Sequence, residues 1–154
     1  RIINYKTKEQ AYMTALLEAF PQFKLDKTIN GGCSKRRPDG FLDLLTHVII
    51  IEIDENEHKS YDNTCNNRRT MELSQDVDHR PIVFIRLNPD SYKLNGTRMK
   101  GSFSLTKKTN ELKIVKKEFN KRLNSLIKSV EKYIITIPDK TISVEYLYFT
   151  TNEI

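Results

Sequence analysis

The run Val48-Ile49-Ile50-Ile51-Glu52-Ile53-Asp54 limits the choice of folds more than any other stretch of this chain. Its β-branched residues favour a strand, and its first four positions place apolar groups on both faces. Such a strand belongs in the middle of a sheet, so other elements must cover it on both sides. The rest of the sequence supplies them. Tyr12, Leu16, Leu17 and Phe20 recur at helical spacing over residues 6–20, and Pro21 is a stop. Residues 63–77 read as a second helix, with Cys65, Met71, Leu73 and Val77 as apolar points. The clearest helix spans residues 116–134, with Val115, Phe119, Leu123, Leu126, Ile127, Val130 and Ile134 on one stripe. Strands are expected at 23–29, 40–45, 48–54, 81–87 and 141–149. Residues 88–110 are mostly turn chemistry with Asn95-Gly96 as a breaker, and a short hairpin is expected across 102–105 and 112–115. This order predicts an α/β chain, a mixed β-sheet flanked by helices, in one domain over residues 1–154.

Several classes fall away. The longest strongly apolar run, Val48–Ile51, is far too short to span a bilayer, so no membrane partner is expected. The first residues lack a signal-peptide stretch, and the start at Arg1 suits an excised domain. Cys33 and Cys65 do not make a disulfide framework, which favours a reducing, intracellular setting. Zinc is a weak alternative, because Cys33, Cys65, His47, His58 and His79 show no zinc-ligand spacing. Phosphate-binding glycine loops and nucleophile elbows are absent, and no organic cofactor is expected.

Charge is unevenly spread. Residues 39–62 carry seven acidic groups against one basic group, whereas residues 107–132 carry nine basic against three acidic. That layout suits an acidic metal site set in a surface that attracts polyanions.

The acidic segment holds the candidate site. Glu52 and Asp54 alternate on one face at the end of a strand that is otherwise apolar. Burying both without a partner is expensive, and hard oxygen ligands are what Mg²⁺ or Mn²⁺ would take. Asp39 begins the preceding strand. Pairing through a turn at Leu45–Val48 would set Asp39 opposite Asp54 and gather three carboxylates. His58, four residues past Asp54, titrates near neutrality and suits proton transfer. Asp62 either orients His58 or caps the following helix, and Glu9 on the first helix either reaches the site or is a solvated residue.

With these residues together, the chain resembles the PD-(D/E)xK nuclease superfamily. Its closer resemblance is to the branch of the very-short-patch-repair endonuclease and the EDxHD homing endonucleases. The matching residues are Pro38-Asp39-Gly40-Phe41, Val48 to Asp54, His58, Asp62 and Arg68 or Arg69, with Glu9 as the acid of the early helix. Residues 31–39, 71–76 and 80–90 also look like nuclease-like proteins of large DNA viruses and protists, which would work in a host nucleus or cytoplasm. The resemblance covers about residues 5–92 and implies a restriction-endonuclease-like core. Two departures stand out. Asp54 occupies the place of the superfamily's lysine, and Glu57 the place of a glutamine before the histidine.

What the resemblance implies is a Mg²⁺-dependent DNA endonuclease, of homing or repair type. Asp39, Glu52 and Asp54 would hold the metal, with Mn²⁺ able to substitute, and His58, Glu9 and Asp62 would serve the proton transfers. Arg36, Arg37, Arg68 and Arg69 offer bidentate phosphate contacts, and Lys117, Lys121, Lys128 and Lys132 would follow the DNA backbone. The partner is DNA, and the chain would act as a monomer or homodimer. A catalytically inactive nucleic-acid-binding domain on the same fold, and a protein-interaction module, are the alternatives.

Overall fold

The computed structural model describes residues 7–25, 38–58 and 63–151, apart from the side chains of His58 and residues 63–69. The elements are α1 (Lys8–Ala19), β1 (Lys24–Leu25), β2 (Gly40–Asp43), β3 (Val48–Ile53), α2 (Asn63–Asp76), β4 (Ile82–Leu87), β5 (Tyr92–Leu94), β6 (Thr97–Met99), β7 (Phe103–Leu105), β8 (Leu112–Ile114), α3 (Lys116–Ile135) and β9 (Ile142–Leu147). The turn Glu55–His58 that follows β3 passes through left-handed backbone at Asn56, φ 52°, and Glu57, φ 58°.

Five strands make one mixed sheet in the order β1-β2-β3-β4-β9. The β1/β2 and β2/β3 pairs are antiparallel, and β4 and β9 run parallel to β3. The expected mixed sheet flanked by helices is therefore what the chain adopts. All six residues of β3 and all six of β4 are buried.

Alternation assigns the two faces. Ile49, Ile51 and Ile53 of β3, with Val83, Ile85 and Leu87 of β4, pack against α1 and α3. Val48 and Ile50, with Ile82 and Phe84, pack against Leu73 and Val77 on the α2 side. On the first face Tyr12 stacks on Phe119 at 4.4 Å between ring centres. The Tyr12 hydroxyl donates to Ser102 Oγ at 2.7 Å, and Ser102 Oγ donates to the Pro89 carbonyl at 2.7 Å. The crossovers β3–α2–β4 and β4–α3–β9 step the same way across the sheet with helices on opposite faces. They have opposite hands, so one departs from the right-handed habit of parallel crossovers.

As expected, residues 88–110 lie mostly outside strands, with Asn95-Gly96, both at positive φ, as the loop of a short hairpin of β5 and β6. The strand expected at 23–29 starts one residue later and is described as Lys24–Leu25, residues 26–29 lying outside the described residues. The β2–β3 register also differs. Asp43 pairs with Val48 and Gly40 with Ile51, so Asp39 falls beside Glu52 and not opposite Asp54. The turn is drawn back because Leu45 adopts a left-handed conformation, φ 72°. Asp43 Oδ1 accepts the Leu45 N–H, and Arg80 grips both Asp43 oxygens and the Leu45 carbonyl. His47, buried, is fixed by Thr46 on one ring nitrogen and by the Tyr133 carbonyl on the other.

Candidate functional site

The shifted register builds a row of polar side chains across an apolar sheet. On the α2 face, near the C-terminal ends of the parallel strands, Asp39, Glu52, Arg86 and Tyr146 stand on adjacent strands. This strand edge is where open α/β sheets commonly hold ligands. Asp39, Glu52, Asp54 and Arg86 are all buried.

Asp39 is held from three sides. Its Oδ2 accepts the Ile53 N–H at 2.6 Å. Glu9 reaches it from the first turn of α1 through a side-chain hydrogen bond, and the Glu52 carboxylate lies close by. Burial, then the Glu9 hydrogen bond, then the Glu52 charge push Asp39 up to about 10, with the Ile53 N–H opposing them. Asp39 therefore keeps its proton at neutral pH and can donate it to the Glu9 carboxylate. Two of the expected residues, Glu9 and Asp39, thus meet directly and Glu52 adjoins them. Glu9 is set in place by its helix start, where Thr7 Oγ1 accepts the Gln10 N–H at 3.1 Å.

Asp54 faces a different partner. Arg86 Nη1 donates to its Oδ2 at 3.0 Å. Burial acts against the Arg86 charge, but Asp54 and then Glu52 hold its pKa above the ordinary value. Sequence reasoning missed Arg86, although the signal was present. It is the one charged residue in the apolar run Pro81–Leu87, and such a residue needs a buried counter-charge.

Asp90 was also missed. Its carboxylate accepts from Lys8 Nζ, beside Glu9, and from the Asn56 N–H at 2.7 Å in the turn after Asp54. Its carbonyl accepts from Arg122 Nη1 at 2.8 Å. Arg122, fully buried on α3, also holds the carbonyls of Asn88 and Lys100, each at 2.8 Å. One buried guanidinium thereby fixes the loop after β4, and that loop fixes both α1 and the turn carrying His58. Gly101 lies so close that a Cβ there would come within 2.9 Å of the Asp90 backbone.

Other expected residues are placed as follows. Glu57 turns away to the C-terminal segment, where Thr150 donates to it from its N–H and from its hydroxyl, the latter at 2.9 Å. The backbone of His58 closes the left-handed turn four residues past Asp54. Arg68 and Arg69 lie on α2, and their side chains, like Arg36, Arg37 and Asp62, are outside the described residues. Lys117, Lys121, Lys128 and Lys132 are exposed on α3, across the sheet from Glu52. Lys117 and Lys121 lie on the half of α3 that meets the loop after β4, whereas Lys128 and Lys132 lie towards Tyr133 and His47, at the opposite edge.

The donor set suits a hard divalent cation, with buried Asp39 and Glu52 beside half-buried Glu9 and the Asp39 proton standing in for positive charge. Glu9, Asp39 and Glu52 could hold it, with Asp54 joining on release from Arg86. As the side chains now stand, no three His, Cys, Asp or Glu groups among the described residues are arranged around a common metal position. No described helix is long and apolar enough to cross a membrane. No protein-family model, curated protein or solved structure matches the chain.

Proposed function

We propose that this chain is a metal-dependent DNA endonuclease of the PD-(D/E)xK type, related to the very-short-patch-repair and EDxHD branch. The observation that carries the reading is the meeting of Asp39 and Glu52, buried carboxylates on neighbouring strands, with half-buried Glu9 of α1, which hydrogen-bonds Asp39. Gathering these carboxylates costs desolvation and mutual repulsion, which Arg86 beside Glu52 and Asp54 only partly offsets, so a further cation at the cluster would be favoured. The element order, a helix, an antiparallel three-strand unit, a helix and a parallel fourth strand, agrees with a restriction-endonuclease-like core.

In this reading Glu9, Asp39 and Glu52 would hold Mg²⁺ or Mn²⁺, which supplies charge stabilisation at a scissile phosphate and a more acidic bound water. The chain's own groups do the rest. Asp39 keeps its place through the Ile53 N–H, Arg86 keeps Asp54 oriented, and Asp90 holds the turn that brings His58 to the same strand ends. His58 is the proton carrier of the proposal, since its ordinary pKa lies closest to neutrality. Lys117 and Lys121 would meet the DNA backbone.

One observation favours the second reading, a nucleic-acid-binding domain without catalysis: the Asp54 carboxylate is already engaged by Arg86. Supercoiled plasmid separates the two. Incubated with the protein in Mg²⁺ or Mn²⁺, it should be nicked or linearised, with no cleavage in EDTA and at least a hundredfold loss in an Asp39→Ala, Glu52→Ala variant. DNA that is bound yet left intact in every metal, or cleaved equally by the variant, would overturn the nuclease assignment.

A further inference from the structure

A cleft of about 500 Å³ opens beside this site, at the end of β9. Tyr92, Leu94, Tyr146, Tyr148, Phe149 and Thr150 form most of its wall. Aromatic side chains are normally spent on the core. Here Tyr146 is 60% exposed, and Phe149 packs edge-on against it at 5.0 Å. Tyr148 and Tyr92 make a second edge-on pair at 6.0 Å. The left-handed Tyr148, φ 64°, turns the chain out of the sheet, so Tyr148 is fastened to α3 while Tyr146 lies on the opposite face.

One rim of the cleft carries a cation, Lys121, whose Nζ lies 5.8 Å from the Tyr148 ring centre, while Thr150 in the wall holds the Glu57 carboxylate. On the other flank Tyr146 is the strand neighbour of Arg86, which bonds Asp54. Glu52 and Tyr146 are two strands apart, roughly 10 Å.

We propose that this cleft takes an unpaired nucleobase from a single nucleic-acid strand, stacked on Tyr146 and Phe149 with its phosphate on Lys121. A flat, uncharged ring linked to an anion matches aromatic walls with a cation at one rim, and each stacked base adds affinity without reading sequence. The placement rests on the nuclease reading only in saying what the strand is for: it would hold an unpaired nucleotide within two strand spacings of the carboxylates. Binding itself needs neither metal nor cleavage.

The test is fluorescence anisotropy in EDTA with a labelled oligo(dT) strand and a blunt duplex of equal length. Tyr146→Ala with Phe149→Ala should weaken binding of the single strand at least tenfold and change duplex binding less than threefold. Tyr146→Phe should bind as wild type, which separates lost stacking from lost folding. Lys121→Ala should flatten the salt dependence, whereas Tyr146→Ala should leave its slope unchanged. Equal binding of the single strand by wild type and the double variant would overturn the proposal. So would an equal loss on both substrates. A chain that binds single strands through Tyr146 but cuts no DNA keeps the cleft and removes the nuclease. A chain that cuts DNA while the double variant binds oligo(dT) normally does the reverse.

Discussion

Asp39→Asn is expected to stabilise the metal-free protein by about 2 kcal/mol at pH 8, and by less at pH 5, while removing its response to Mg²⁺. Burial, the Glu9 hydrogen bond and the Glu52 charge raise Asp39 to about 10 in the folded chain, against about 3.9 when unfolded. A raised carboxyl favours the fold fully below its unfolded value, and that contribution is lost as the pH climbs through the folded one. At pH 8 the wild type therefore holds a proton that the unfolded chain would release. Asparagine has nothing to release, keeps the shape and still offers an oxygen to the Ile53 N–H. It also removes the charge that a cation would meet. Denaturant unfolding at both pH values, in EDTA and in Mg²⁺, reads all of this. A variant no more stable than wild type at pH 8, or one still stabilised by Mg²⁺, would remove the argument.

Arg86→Met should have the largest opposite effect. Arg86 lies inside the sheet with its guanidinium on Asp54 and Glu52 beside it. Methionine fits the space but leaves buried carboxylates facing each other, and removing one partner of such a pair costs about 3–5 kcal/mol. The loss should be partly restored by millimolar Mn²⁺ or by lowering the pH to 5, because either neutralises the acids. Thermal unfolding under the three conditions measures it. A loss that neither metal nor acid relieves would mean that Arg86 matters only through packing.

Much of the architecture could be read from the residues, because burial patterns follow periodicity. The apolar run Val48–Ile51 needs cover on both faces and the stripe of α3 needs one partner face, and a covered sheet supplies both. The site was legible in its acids and less so in its connections. That Glu52 and Asp54 share a face follows from alternation alone, and a register change by two leaves that parity intact. The identity of Asp39's neighbour depended on the turn, and there Leu45 takes a positive φ that no leucine announces. Arg80, thirty-odd residues away, and buried His47 settle that turn. Asp90 and Arg122 were hidden for a similar reason. Their value lies in carbonyls and backbone N–H groups that only the folded chain brings together, whereas α3's lysines were plain in the sequence but stand across the sheet from the carboxylates.

The central claim, that the carboxylate cluster is a divalent-cation site, is tested most directly by calorimetric titration of Mn²⁺ into the protein at pH 7.5. Using two buffers of different ionisation heat also counts protons. The account predicts saturable Mn²⁺ binding with release of a proton from Asp39, both lost in the Asp39→Ala, Glu52→Ala variant. Wild-type protein that binds no Mn²⁺, or a variant that binds it as tightly as wild type, would contradict the account.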